Sequence, residues 1–217
     1  MGQVPRNLVA DLQSRLELRR AVETGTWRGE GARRLAAVFP EVMTVELSSD
    51  LHADARYALA ASPHVRVLHG PSPEVLAEVV DGTPTLYWLD AHWSHGDTAG
   101  RDDQCPLLEE ITAIAGGCTM DDCVLIDDAD YFLATPAGSF DPAQWPSIWQ
   151  VFEALRSVWP DHHVSVAHDI VVAVPLQARD LADHFAHESI GHYWPLHRRA
   201  RRRVLAQMLT RLEREGQ

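Results

Sequence analysis

The chain predicts an α/β fold: a doubly wound sheet of about seven strands, mostly parallel, closed by an antiparallel hairpin. Three observations carry this expectation. Short apolar runs alternate with helical stretches five times along the first 130 residues or so, the pattern of a parallel sheet covered by helices on both faces. Four of those runs end in an acid, at Glu23, Glu46, Asp90 and Asp127. The last two apolar runs are separated only by His168–Asp169, a hairpin spacing.

The elements follow in order. Asn7–Leu18 sets Leu8, Val9, Leu12 and Leu16 on one helical face. Ala21–Thr24 is the first strand, and Glu30–Phe39 the helix after it, stopped by Pro40. Val42–Leu47 is the second strand. Asp50 then suits the N-cap of a helix reaching Ala60. His64–His69 alternates as a third strand, and Ser72 caps a helix through Val80. Pro84–Asp90 is the fourth strand, and Ala91–Asp103, polar and rich in His and Asp, is an active-site loop. Pro106 opens a helix to Ala115, and Cys123–Asp127 is a fifth, apolar strand. Tyr131–Gln144 is an inserted segment and Trp145–Val158 a helix. His162–Ala167 and Ile170–Val174 form the hairpin, and helices near Asp180–Glu188 and Leu196–Glu215 complete the chain. The apolar stripe of the last helix suits a dimer contact or packing on its own domain. No repeat or linker divides the 217 residues, so one domain is expected, with a helix within 1–20 and a helical extension over 176–217.

Composition narrows the function. All 19 basic residues are arginine, which excludes lysine Schiff-base chemistry. Residues 196–217 hold seven arginines and two glutamates, a net of +5; the remainder, with 12 arginines against 29 acids, carries −17. A body that acidic repels a phosphate backbone, so nucleic acid is not the expected partner. The Arg198–Arg203 cluster reads as a solvated helix face or an anion site. No apolar run has membrane-spanning length, no signal-peptide core opens the chain, and a cytoplasmic protein is expected. Cys105, Cys118 and Cys123 have neither disulfide nor zinc spacing and read as small buried residues. Trp27 and Trp93 are candidates to line a pocket, while Trp145 and Trp149 are expected in the core.

In open α/β sheets ligands sit beyond the carboxyl ends of the strands, which is where the acids fall. The first strand runs into Glu23-x-Gly25-x-x-x-Gly29. Gly25 allows backbone to approach a ligand, and Gly29 eases the turn into a helix. A dinucleotide site would show glycine where Glu23 stands, and a carboxylate suits an ammonium group or sugar hydroxyl better than a phosphate. Glu46, about 20 residues on, is placed to accept ribose hydroxyls. Gly70-Pro71-Ser72 lies where a base would rest, although a turn and helix cap explain it equally. Asp90, Asp127 and Asp128 converge from adjacent strand tips and suit a hard cation such as Mg²⁺. In the Asp90–Asp97 loop, His92 and His95 are candidates to accept a proton or to ligate a metal.

Together, Glu23-x-Gly25-x-x-x-Gly29, Glu46, Asp90 and Asp127–Asp128 resemble the class I S-adenosylmethionine-dependent methyltransferases, a Rossmann-like fold. The likeness spans about Leu18–Pro175. Within that class, YWLDAH and VLIDDADYF are similar to the metal-dependent macrocin O-methyltransferase group, which acts on sugars and natural products. The resemblance implies S-adenosylmethionine held by Glu23, Gly25, Thr26, Gly29, Glu46, Ser72 and Asp90. It also implies Mg²⁺ on Asp90, Asp127 and Asp128, with catalysis by Asp90, His92 and His95 on a small-molecule hydroxyl. That group has an aspartate two residues after its first metal ligand; this chain has His92 there. The competing expectations are a metal-dependent hydrolase using Asp90, His92, His95, Asp127 and Asp128, a nicotinamide oxidoreductase, and an idle binding protein on the same scaffold.

Overall fold

Four strands are buried along their whole length: β1 (Arg20–Thr24), β4 (Thr85–Leu89), β5 (Cys123–Ile126) and β7 (Ile170–Val174). Burial of every residue along these strands is what a sheet covered on both faces requires. β2 (Glu41–Glu46) is nearly as buried, while the edge strands β3 (Val65–His69) and β6 (His163–Ala167) are half exposed. The structure, a computed structural model, describes residues 3–94, 98–134 and 138–188. The expected tail helix, the Arg198–Arg203 cluster and the dimer contact suggested for that helix lie outside these residues.

The seven strands form one sheet in the order β3-β2-β1-β4-β5-β7-β6. β1 pairs in parallel with β2 and β4, and β7 inserts antiparallel between β5 and β6. The hairpin turns on His168 and Asp169, with φ of 51° and 65°; two successive left-handed residues match the twist of the flanking strands.

Alternate residues of each strand feed opposite layers. Tyr87, Leu89, Val124 and Ile126 pack with Leu76 of α4 (Ser72–Val79), Ile111 and Ile114 of α5 (Leu107–Ala115) and Val151 and Leu155 of α7 (Ile148–Val158). Leu86, Trp88, Cys123 and Leu125 pack with Leu8, Val9 and Leu12 of α1 (Arg6–Leu16) and Leu35 of α2 (Glu30–Ala36). Each fully buried leucine contributes about 1.5–3 kcal/mol. The helical segment 179–188 follows β7 and is tied to α1 by the Arg15–Asp180 ion pair at 3.0 Å.

Several boundaries move for local reasons. Ser48, not Asp50, caps α3 (Ser49–Ala58), accepting the Leu51 N–H at 3.3 Å. Pro71 holds the N-cap position of α4, so Ser72 is its first helical residue rather than its cap. α7 begins at Ile148 behind Pro146, where Ser147 and Gln150 form a capping box. Trp145 and Trp149 therefore do not share a helix face: Trp145 is buried, while Trp149 is 72% exposed, against its expected place in the core. α6 (Ala129–Leu133) runs into the inserted segment, whose described residues also include a 3-10 turn, Pro142–Gln144. The cysteines are free, Cys105 and Cys123 buried and Cys118 partly so. Among the described residues, no helix is long and apolar enough to cross a membrane.

Candidate functional site

From β1 the chain winds outward to β3, then returns to β4 and winds the other way. This reversal leaves a crevice at the carboxyl ends of β1 and β4. A cleft with an empty volume of about 860 Å³, open to solvent, lies there. Gly25, Trp27, Glu46, Leu51 and Gly70–Pro73 line one side. Asp90–His92, Ser94, Thr98–Gly100, Asp103, Pro106 and Asp128 line the other.

Gly25 makes the crevice possible. Its φ is +83°, and a Cβ there would lie 2.2 Å from the Asp90 carbonyl oxygen, so only glycine lets the β1 turn meet the β4 tip. The Gly25 and Thr26 N–H groups both donate to the Val45 carbonyl, at 2.9 and 3.1 Å, fastening the turn to β2. Glu46 completes the clamp. Its buried carboxylate accepts the Trp27 N–H at 2.8 Å and the Ser48 N–H at 2.9 Å, while still bordering the cleft. Charge-assisted hydrogen bonds of this kind contribute about 1.5–3 kcal/mol each.

The other residues of the glycine turn have supporting positions. Glu23 is buried: it accepts from the Thr44 hydroxyl and the Ala32 N–H, and burial pushes its carboxyl up to about 8. It faces the smaller cleft beside Gly25, Trp27, Arg34 and Asp90. Thr26 is buried too, with its hydroxyl bonded to Thr44 at 2.6 Å. Gly29, at φ +73°, precedes α2 and faces the Leu59 side chain, away from the large cleft. Sequence reasoning missed Gly31, where a Cβ would lie 1.9 Å from a Glu23 oxygen; its spacing from Gly29 was the available signal.

Ser72 borders the cleft, and its hydroxyl, like that of Thr24, hydrogen-bonds to Glu110. Glu110 was also missed. It is 1% exposed, one of its oxygens has no partner, and burial pushes it up to about 7. An acid on the apolar face of α5, between Leu107 and Ile111, was the sequence sign. Trp27 lines the cleft as expected, whereas Trp93 is buried in the core beside Phe140.

The second half of the site gathers at the tips of β4 and β5. Asp90 borders both clefts, and its carboxyl is held well above the ordinary range by burial and by the charges of Asp127 and Asp128. Asp127 is 1% exposed, neither of its oxygens has a hydrogen-bond partner, and burial with the Asp128 charge pushes it up to about 6. Asp128 adopts φ 52° ahead of α6, which turns its carboxylate back toward the cleft. There its Oδ2 lies 2.8 Å from His92 Nε2. Burial would raise Asp128, but the hydrogen bond and charge of His92 outweigh it and hold the group below its usual range. His92 Nδ1 faces Asp90 Oδ1 at 3.6 Å. The ring is edged by Tyr131 and Trp145, at centroid distances of 5.8 and 5.6 Å. The structure thus brings Asp90, His92 and Asp128 together with Asp127 behind them; His95 lies outside the described residues.

This arrangement tests the expected Mg²⁺. The ion wants six oxygens at about 2.0–2.1 Å and keeps several waters. Here an imidazole stands between Asp90 and Asp128, and both Asp127 oxygens are sealed from solvent. Among the described residues, no group of three or more His, Cys, Asp or Glu is disposed to hold a metal. As arranged, the trio does not fit the ion, and the expected hydrolase, which needs one there, has the same difficulty.

No protein-family model and no curated protein sequence matches the chain. Solved structures do. An O-methyltransferase from Bacillus cereus in complex with S-adenosylhomocysteine is 15% identical, covering 78% of this chain and 79% of that one, with a TM-score of 0.58. TomG, an O-methyltransferase from Streptomyces achromogenes involved in tomaymycin synthesis, in complex with S-adenosylmethionine, is 17% identical over 78% and 79%, with a TM-score of 0.56. A precorrin 8w decarboxylase from Methanobacterium thermoautotrophicum is 14% identical over 81% and 93%, with a TM-score of 0.51. At these identities the likeness is one of fold: this chain has the Rossmann-like sheet of such methyltransferases. The macrocin-type subgroup rests on YWLDAH and VLIDDADYF alone.

Proposed function

We propose that the chain is an S-adenosylmethionine-dependent methyltransferase that methylates a hydroxyl of a small molecule such as a sugar or natural product. The carrying observation is the continuity of one cleft. It runs from the Gly25 turn, past Glu46 and Gly70–Ser72, to the His92–Asp128 pair. The first end suits a nucleoside, with Glu46 for the ribose and Gly70–Ser72 beside the base. Asp90, shared by both clefts, stands where the methionine end would meet the acceptor. Solved methyltransferases of this fold hold S-adenosylmethionine or S-adenosylhomocysteine, which supports the choice of cofactor.

S-adenosylmethionine supplies a methyl group already activated on sulfonium, so the chain's task is alignment and proton removal. The ionised Asp128 selects the His92 tautomer that donates from Nε2. Nδ1 is then the lone pair available to take the acceptor hydroxyl's proton, and the resulting imidazolium is held between Asp128 and Asp90. Asp90 is the orienting acid and His92 the base. No step is routed through a metal.

Calorimetric titration of the full chain with S-adenosylhomocysteine tests the cofactor half; a folded chain that releases no heat overturns it. Incubation with S-adenosylmethionine and a panel of hydroxylated sugars and phenols, following S-adenosylhomocysteine formation, tests the acceptor half.

A further inference from the structure

We propose that the His92 imidazole stands where a divalent cation would otherwise bridge the strand tips, so that the chain works with a ring tethered to its own backbone and takes up no metal ion. The proposal concerns the same site as the methyltransferase reading, but its binding test does not depend on methyl transfer.

Three carboxyl groups from neighbouring strand tips repel one another unless cations or protons join them. The geometry places the ring in that role. His92 Nε2 lies 2.8 Å from Asp128 and Nδ1 lies 3.6 Å from Asp90, and the side chain is only 5% exposed. The ring is located from both directions. The backbone of the next residue is fixed by the Trp93 N–H donating to the Gln104 carbonyl at 2.8 Å, and the edges of Tyr131 and Trp145 close around the imidazole. A hydrated divalent ion would have to displace the ring, break both carboxylate contacts and open the aromatic packing.

The sealed, unpartnered oxygens of Asp127 mark the side of the cluster that the ring does not reach. Shortening residue 92 to a carboxylate should therefore open the gap and supply an oxygen ligand in one change.

The test is titration of the full chain with MnCl₂, followed by calorimetry and by the electron paramagnetic resonance signal of free Mn²⁺. The wild-type chain should leave the ion free to about 1 mM. His92→Asp should take up one ion at least about tenfold more tightly, and His92→Asp with Asp128→Asn should lose that uptake. Wild-type uptake of one ion that Asp128→Asn abolishes overturns the proposal. So does a His92→Asp chain that keeps its circular dichroism spectrum and still leaves Mn²⁺ free. If His92→Asp does not fold, His92→Asn, which also removes the ring, takes its place: uptake of the ion supports the proposal, and a folded chain that leaves it free overturns it. A parallel S-adenosylhomocysteine titration keeps the two readings distinguishable: its failure removes the methyltransferase assignment and leaves the Mn²⁺ result standing.

Discussion

The two halves of the sheet's carboxyl edge solve opposite problems. At β1 and β2 the polar groups are satisfied: Glu46 holds two backbone N–H groups, Thr26 is bonded to Thr44, and Glu23 receives the Thr44 hydroxyl. At β4 and β5 they are not. Asp127 has no partner, Asp90 shares its neighbourhood with two other aspartates, and Asp128 occupies a left-handed conformation to reach His92. The first half is a finished cradle for a ligand that fits it. The second gathers buried, mutually repelling carboxyl groups around one imidazole. Strain and unmet polar groups cluster where chemistry is done.

Substitutions in each half can break this contrast. The largest effect is expected from Gly25→Ala, which forces a methyl group into the Asp90 carbonyl at a left-handed φ. S-adenosylhomocysteine binding should vanish from calorimetry and the melting temperature should fall. Binding at wild-type affinity would show that the turn is not the cradle. Asp128→Asn keeps a residue type that tolerates φ 52° but removes the charge behind His92. Methyl transfer should drop by about 10²–10⁴-fold while S-adenosylhomocysteine affinity stays within about twofold; a comparable loss in both would merge the two halves into one binding site.

Glu23→Gln sharpens the contrast through pH. The folded chain holds the Glu23 proton up to about pH 8, against an ordinary value of 4.5. Its contribution to stability is therefore full below pH 4.5 and is lost as pH rises through 8. The Glu23 contribution should fall by on the order of 5 kcal/mol across that window, and the variant should be flatter, matching wild type near pH 5 and exceeding it near pH 8. His162, which burial holds below its ordinary range, works in the opposite sense at acid pH, so the difference between the two chains is the quantity to measure. Parallel pH profiles would leave Glu23 ionised and free to face an ammonium group. The smallest effect is expected from Glu46→Gln, with about a tenfold weaker S-adenosylhomocysteine affinity by calorimetry; unchanged affinity would reduce Glu46 to a loop clamp.

The sequence by itself determined the layered sheet, because short apolar runs alternating with helical stretches of period 3.6 leave few other ways to bury both faces. It placed Gly25, Glu46, Asp90, Asp127 and Asp128 at one edge, since strand ends in a parallel sheet share an edge by topology. The loop histidine His92 was also legible as a candidate. What it left open was where side chains turn beyond the last strand residue. Glu23 turned inward because Gly31 leaves room for its carboxyl, and Glu110 entered the core because Ser72 and Thr24 offer it hydroxyls. Trp149 turned outward once Pro146 delayed its helix. The Mg²⁺ expectation counted carboxylates along the chain. Only the tertiary structure, by setting Asp128 in a left-handed turn and His92 back across the strand tips, decided that an imidazole stands among them. Periodicity is a local property of the chain, whereas the partner of a buried charge is chosen by segments dozens of residues apart.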